Sequence, residues 1–210
     1  MAIKDVTSTT NARSVISCLL PAYGASHTLP IIDIEIADRR ERTRVQSLVC
    51  ANLNAVILDF VARTKILSNH ASWYVIEQLP VVPPERYEAV RFGGKTASEI
   101  VRDAVLELTY TARDMAPFAR DFGYIDNAGR ARPPFAWDED RRQRLRAKLD
   151  AVYFHLYGVI GRDDVRYIYS TFPVVEREEM AVYRCYRSRE LCLAYMNALG
   201  AGDPDAEIGL

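Results

Sequence analysis

Pro80, Pro83 and Pro84 stand close together in the run Leu79-Pro80-Val81-Val82-Pro83-Pro84. Proline lacks an amide hydrogen, fixes its own φ and drives the preceding residue out of the helical region. No helix built before Leu79 can therefore run on past Pro84. On the N-terminal side, Val45, Leu48, Val49, Asn52, Val56, Ile57, Phe60 and Val61 recur at three- and four-residue spacing and predict one long helix over about 40–62. Upstream, the β-rich runs Val15–Leu20 and Leu29–Ile34 predict strands over 13–21 and 28–36, around a turn at Tyr23-Gly24. The stretch 65–84 reads as a short strand, a short helix and an extended exit.

Beyond the prolines the pattern is helical. Thr96, with Glu99 three residues on, opens a helix expected over 96–112. Asp138 caps a stronger one that Gly158 ends, with Leu145, Leu149, Val152, Tyr153 and Leu156 inward. Further helices are expected at 162–171 and 187–199. Between them, 114–137 carries Asn127-Ala128-Gly129 and Arg132-Pro133-Pro134 and reads as an exposed insertion or a boundary. The expected fold class is α+β: a small mixed β/α lobe over 1–92, then a mainly helical lobe over 93–210.

No apolar run approaches the ~20 residues of a membrane span, and no signal-peptide core opens the chain, so a cytoplasmic location is expected. A formal net charge of −1 gives no whole-molecule attraction to phosphate, and a nucleic-acid role would need the basic residues gathered on one face. Of the 27 basic residues, 23 are arginines, whose planar fork suits phosphates and guanine edges. A GC-rich genome produces the same bias. Cys18, Cys50, Cys185 and Cys192 form no Cys-x-x-Cys pair and His27, His70 and His155 are scattered, which predicts buried thiols and no zinc site.

One constellation stands out. The apolar helix ends in Phe60-Val61-Ala62-Arg63-Thr64-Lys65, a polar elbow follows with Asn69-His70-Ala71-Ser72, and Trp73-Tyr74-Val75-Ile76 leads to the proline run. Cations past a helix C-terminus are favoured by its dipole. The same residues suit phosphate contact by Arg63 and Lys65, with Asn69 and His70 near base edges. Trp73 and Tyr74 are able to stack on bases, but at the start of an apolar segment they read as core. Asn11 and Arg13 open a strand and His27 sits in the next turn; proximity of both loops to the elbow would make a shared face. The arginine row at 141–146 reads as a solvated helix face paired with Asp138, Glu139 and Asp140, and His155 as a satisfied core histidine.

This region resembles the target-recognition end of large adenine-specific DNA methyltransferases of type IIG restriction–modification and phage-exclusion systems. The likeness runs in order through Thr10-Asn11-Ala12-Arg13-Ser14-Val15-Ile16, His27-Thr28-Leu29-Pro30, Asn52-Leu53-Asn54-Ala55, the elbow and the proline exit. It continues through Pro134-Phe135-Ala136-Trp137-Asp138, Leu145–Ala151, His155-Leu156-Tyr157-Gly158, Asp163–Ile168 and Thr171-Phe172-Pro173-Val174-Val175. Ile66-Leu67-Ser68 stands where the family pattern has a Gly-Gly pair.

The resemblance implies duplex DNA as a partner, contacted by Asn11, Arg13, His27, Arg63, Lys65, Asn69 and His70. It also implies a methyltransferase or restriction catalytic domain as a second partner.

The chemistry of that family is not visible. Its Asn-Pro-Pro-Tyr/Phe motif would hold a flipped adenine, but the nearest string here, Arg132-Pro133-Pro134-Phe135, offers no side-chain acceptor. Phe92-Gly93-Gly94-Lys95 follows no buried strand and reads as a turn, not a methyl-donor loop. The expected function is non-catalytic, without cofactor: reading duplex DNA and positioning a separate catalytic domain. Docking on a methyltransferase or phage-defence subunit without DNA contact is the alternative, and an active methyltransferase with unfamiliar motifs is the third. Binding of S-adenosylmethionine would single out the third.

Overall fold

The computed structural model describes residues 1–21, 24–66 and 69–209. Tyr23 of the expected turn, and Leu67 and Ser68 of the segment departing from the family pattern, lie outside them.

The helix expected over 40–62 is two helices meeting at 65°: α1 (Arg39–Leu53) and α2 (Val56–Lys65). Asp38 starts α1 by accepting from the Glu41 amide. The break at Asn54 has a tertiary cause. Its Nδ2 donates to Ser17 O at 2.9 Å and to Cys50 O at 2.8 Å, and its Oδ1 accepts from Ser17 N at 3.2 Å. Ala55 has no side chain to cap α2, and Asp150, from a helix nearly a hundred residues on, accepts the Val56 amide at 2.8 Å.

The expected strands at 13–21 and 28–36 shrink to one pair. β1 (Ala2–Ile3) pairs antiparallel with β2 (Ser17–Cys18), Ala2 opposite Cys18 and Ile3 opposite Ser17, and an isolated Ala2–Ile31 bridge with the flanking Ile3 N–Pro30 O and Ile32 N–Met1 O bonds ties in the second run. Backbone groups that a wider sheet would pair are taken by Asp59 and Asn54 instead.

After α2 come a four-residue helix α3 (Trp73–Ile76), the extended proline run, and α4 (Pro84–Ala89) with Pro84 in its first turn. The Gly93-Gly94 pair is the tip of a hairpin between β3 (Arg91–Phe92) and β4 (Lys95–Thr96). Helix α5 (Ala97–Thr109) opens on the expected box: Thr96 accepts from Glu99 N, and the Glu99 carboxylate accepts from Thr96 N. The 114–137 stretch holds a 3-10 turn and a short helix α6 (Ala116–Asp121), then a loop closed by an Ile125–Ala131 bridge. Helix α7 (Glu139–Tyr157) runs from its Asp138 cap to Gly158, in the left-handed region at φ +77. Helices α8 (Arg162–Ser170), α9 (Pro173–Tyr183) and α10 (Arg187–Gly200) follow; α9 is unannounced by any spacing in the sequence.

The architecture is a mainly helical α+β fold with two small antiparallel pairs among the described residues. Helix α7 is its axis, packed against α10, α5 and α2, with Ala151, Val152, Tyr153 and Phe154 fully buried. Side chains the size of Val152 and Phe154 contribute roughly 1.5–3 kcal/mol each by burial. Leu48 and Ala51 of α1 join this core, while Cys50 and Leu53 face a second one containing Ile3, Val15, Leu58, Ala62 and Ile76. The main core thus draws on both expected lobes, 1–92 and 93–210. Among the described residues no single helix is long and apolar enough to cross a membrane.

Candidate nucleic-acid interface

Helix α2 carries one carboxylate, Asp59, on a face otherwise made of Val56, Leu58 and Ala62, and that carboxylate is fully buried. A bare carboxylate in such a place is costly, so it must be matched by donors. The N-terminal segment supplies them. Ser14 N lies 3.0 and 3.1 Å from its two oxygens, Val15 N is at 3.2 Å, and Arg13 Nε is at 2.8 Å. Asp59 fixes the path of residues 13–15 across the helix.

Arg63, one turn on, completes the joint. Its Nη2 donates to Asn11 O at 2.8 Å and Ala12 O at 3.1 Å, its Nη1 to Thr171 O at 3.0 Å, and its Nε stands 3.8 Å from Asp59. The Phe172 ring lies 4.1 Å beneath the guanidinium, with Arg13 at 5.7 Å from the same ring. Burial, then the proximity of Arg13, outweighs Asp59 and lowers the Arg63 pKa. For Arg13 burial also opposes the charge, but Asp59 and Asp150 overcome it and the pKa rises. The donors of both arginines are turned inward. Arg63, expected at phosphate, and Arg13, expected at DNA, spend these donors on holding the N-terminal segment, α2 and the α8–α9 corner together.

The remaining expected residues lie on the outside of this joint. Asn11 is exposed and gives only its carbonyl to Arg63. Asn69 is exposed, its carbonyl accepting from Thr7 N at 2.9 Å. His70 is exposed, with Nδ1 2.9 Å from Asp5 Oδ2, and its backbone bridges to Val6. Lys65 reaches Gln78 Oε1 at 3.5 Å. His27 is exposed beside Thr28, whose carbonyl accepts from Asp5 N at 3.1 Å. Residues 5–14 are therefore a seam between the 27–28 turn and the 63–71 elbow.

Trp73 and Tyr74 are not core, as expected from the sequence, but 49% and 75% exposed. Helix α3 is too short to turn one face inward, and only Ile76 of its four residues is buried. Gln78, which Lys65 contacts, also donates to Tyr74 O at 3.0 Å, which ties the end of α2 to the backbone of α3. Sequence reasoning weighed base stacking by the Trp73 and Tyr74 rings and favoured core; helix length was the missing signal.

Elsewhere several basic residues are paired internally. Arg141 is forked on Glu107 at 2.8 and 3.0 Å, Arg144 pairs with Asp140 at 2.8 Å, and Arg187 binds Asp140 and Gln143. Within the 141–146 row Arg142 departs from the solvated reading: it donates inward to Leu108 O at 2.9 Å and stacks on Trp137. His155 is satisfied as expected, 3.3 Å from Met196 O and edge-on to Phe92. Among the described residues no group of His, Cys, Asp or Glu is placed to hold a metal ion.

No family model, curated protein or solved structure matches this chain.

Proposed function

We propose that this protein is a non-catalytic DNA-recognition and accessory unit that meets duplex DNA and works with a separate adenine-specific methyltransferase or restriction domain. The observation that carries the reading is the seam at 5–14. Three stretches far apart in sequence carry the residues that the family resemblance assigns to DNA, and they meet along this one segment with Asn11, His27, Asn69 and His70 exposed. In this reading Lys65 supplies charge to a phosphate, Asn11, Asn69 and His70 present polar groups to the duplex, and Trp73 and Tyr74 add stacking or sugar contact. Arg13 and Arg63 are positioning residues.

Anisotropy titration of a labelled duplex at low salt tests this. Lys65→Ala combined with His70→Ala should weaken binding about tenfold or more, as loss of two direct contacts implies. Equal affinity for this variant and the parent protein refutes the reading.

Helix α9 favours docking as a second reading. Among the described residues none of its side chains is fully buried, and Met180, Val182 and Tyr183 are 45%, 71% and 40% exposed. That reading predicts no duplex binding by the isolated chain, and self-association that Val182→Ser relieves.

A further inference from the structure

A cavity of about 500 Å³ opens between the β2 segment, the ends of α1 and α5, and the first half of α7. Its volume falls in the range of small-molecule sites. Val15, Leu19, Val105, Leu108 and Leu149 make its walls apolar. Arg142 and Arg146 bring two guanidinium groups to it; Arg13 also lines it but is taken by Asp59, and the lining carboxylate Asp150 is engaged with Val56 N and the Tyr169 hydroxyl at 3.2 Å. Asp150 caps a helix on the inner side, and Arg146 is exposed at the rim, where Glu139 holds it at 2.5 Å.

Two further observations point to a planar anionic ligand. Arg142, which lines the cavity, lies over the Trp137 ring with its guanidinium carbon 3.7 Å from the centroid, and that indole remains 65% exposed. Arg142 also keeps a buried Nε with no hydrogen-bond partner among the described residues, while its Nη1 is anchored on Leu108 O. A guanidinium lining an apolar slot, with a half-open indole stacked on it, suits a base attached to a phosphate.

We propose that this cavity is a nucleotide subsite: a purine or pyrimidine base lies between the apolar walls, its phosphate meets Arg142 and Arg146, and Trp137 stacks the neighbouring base when the nucleotide belongs to a strand. The shared chemistry is a nucleobase with its phosphate, whether free or within single-stranded DNA. The site is remote in function from the elbow that reads the duplex and does not depend on it.

The test uses the full chain with Trp73→Phe, which leaves Trp137 as the one tryptophan of the two in the sequence. A short single-stranded oligodeoxynucleotide should quench Trp137 fluorescence on binding, and AMP should compete without matching that quench. Arg146→Gln should weaken both probes about tenfold. Thr109→Phe, which fills the cavity from its half-buried rim, should abolish both while far-UV circular dichroism and the melting midpoint stay unchanged. Direct binding of AMP, read by calorimetry, with no binding of the oligonucleotide identifies the free nucleotide as the ligand. Binding of neither probe, or binding indifferent to both variants, overturns the proposal. Duplex affinity with Lys65→Ala and His70→Ala is measured beside it, so that failure here and failure at the elbow are told apart.

Discussion

Replacing Asp59 by alanine removes the acceptor around which the N-terminal segment is laid. Three donors lose their partner: Ser14 N, Val15 N and Arg13 Nε. Breaking a buried ion pair costs about 3–5 kcal/mol, and each stranded amide about 1–3 kcal/mol. These terms do not add, because the donors share one carboxylate and because Arg13, with a side chain 29% exposed, is rehydrated when released. The expected loss is roughly 4 kcal/mol out of the 5–15 kcal/mol typical of a folded domain. Asp59→Asn keeps one oxygen acceptor and should lose roughly half as much. Urea unfolding followed by far-UV circular dichroism reads the free-energy difference, and limited proteolysis in the native state should cut within 4–15 in the alanine variant first. A loss below about 1 kcal/mol, with the segment still protected, would show that Asp59 does not organise this joint.

Other perturbations have equally definite outcomes. Arg63→Lys keeps the charge but cannot reach Thr171 O, Asn11 O and Ala12 O together, and should cost about 1–2 kcal/mol in the same unfolding assay. Gly93→Ala builds a Cβ 2.2 Å from Gly202 O at a positive φ and should destabilise strongly, whereas Gly94→Ala meets open space and should be nearly neutral; thermal melts compare the two. Burial raises the Asp150 carboxyl pKa above its ordinary value, against the pull of Arg13, Val56 N and Tyr169. A carboxyl raised in the folded state contributes stability that is complete below its unfolded pKa and lost as pH rises through the folded one. Stability should therefore decline through that interval, and Asp150→Asn should flatten the decline in urea midpoints measured across it.

What the sequence discloses, and what it hides, follows from where each signal resides. The Thr96–Glu99 box and the Asp138-to-Gly158 helix are local devices, satisfied by residues three or four positions apart, and both stand where the spacing puts them. The break between α1 and α2 has no local marker: Asn54-Ala55 contains neither proline nor glycine, and it is Ser17 and Asp150 that divide the helix. The β-rich runs at 13–21 and 28–36 fail for the same reason, since side chains from α1 and α2 take the amides a sheet would use. At the candidate site the elbow and its neighbouring loops were legible as a cluster of polar and basic residues. The inward turn of Arg13 and Arg63 was not, although Asp59 alone among Val56, Ile57, Leu58 and Phe60 was the clue that a cation would be called inside.

The salt dependence of duplex binding bears most directly on whether this polypeptide reads DNA through the outside of its N-terminal seam. Anisotropy titrations across a salt series should give a log–log slope of a few units, and Lys65→Ala should reduce it by about one, as expected when a single phosphate contact is lost. No detectable binding at low salt, or a slope unchanged by Lys65→Ala, would contradict that assignment.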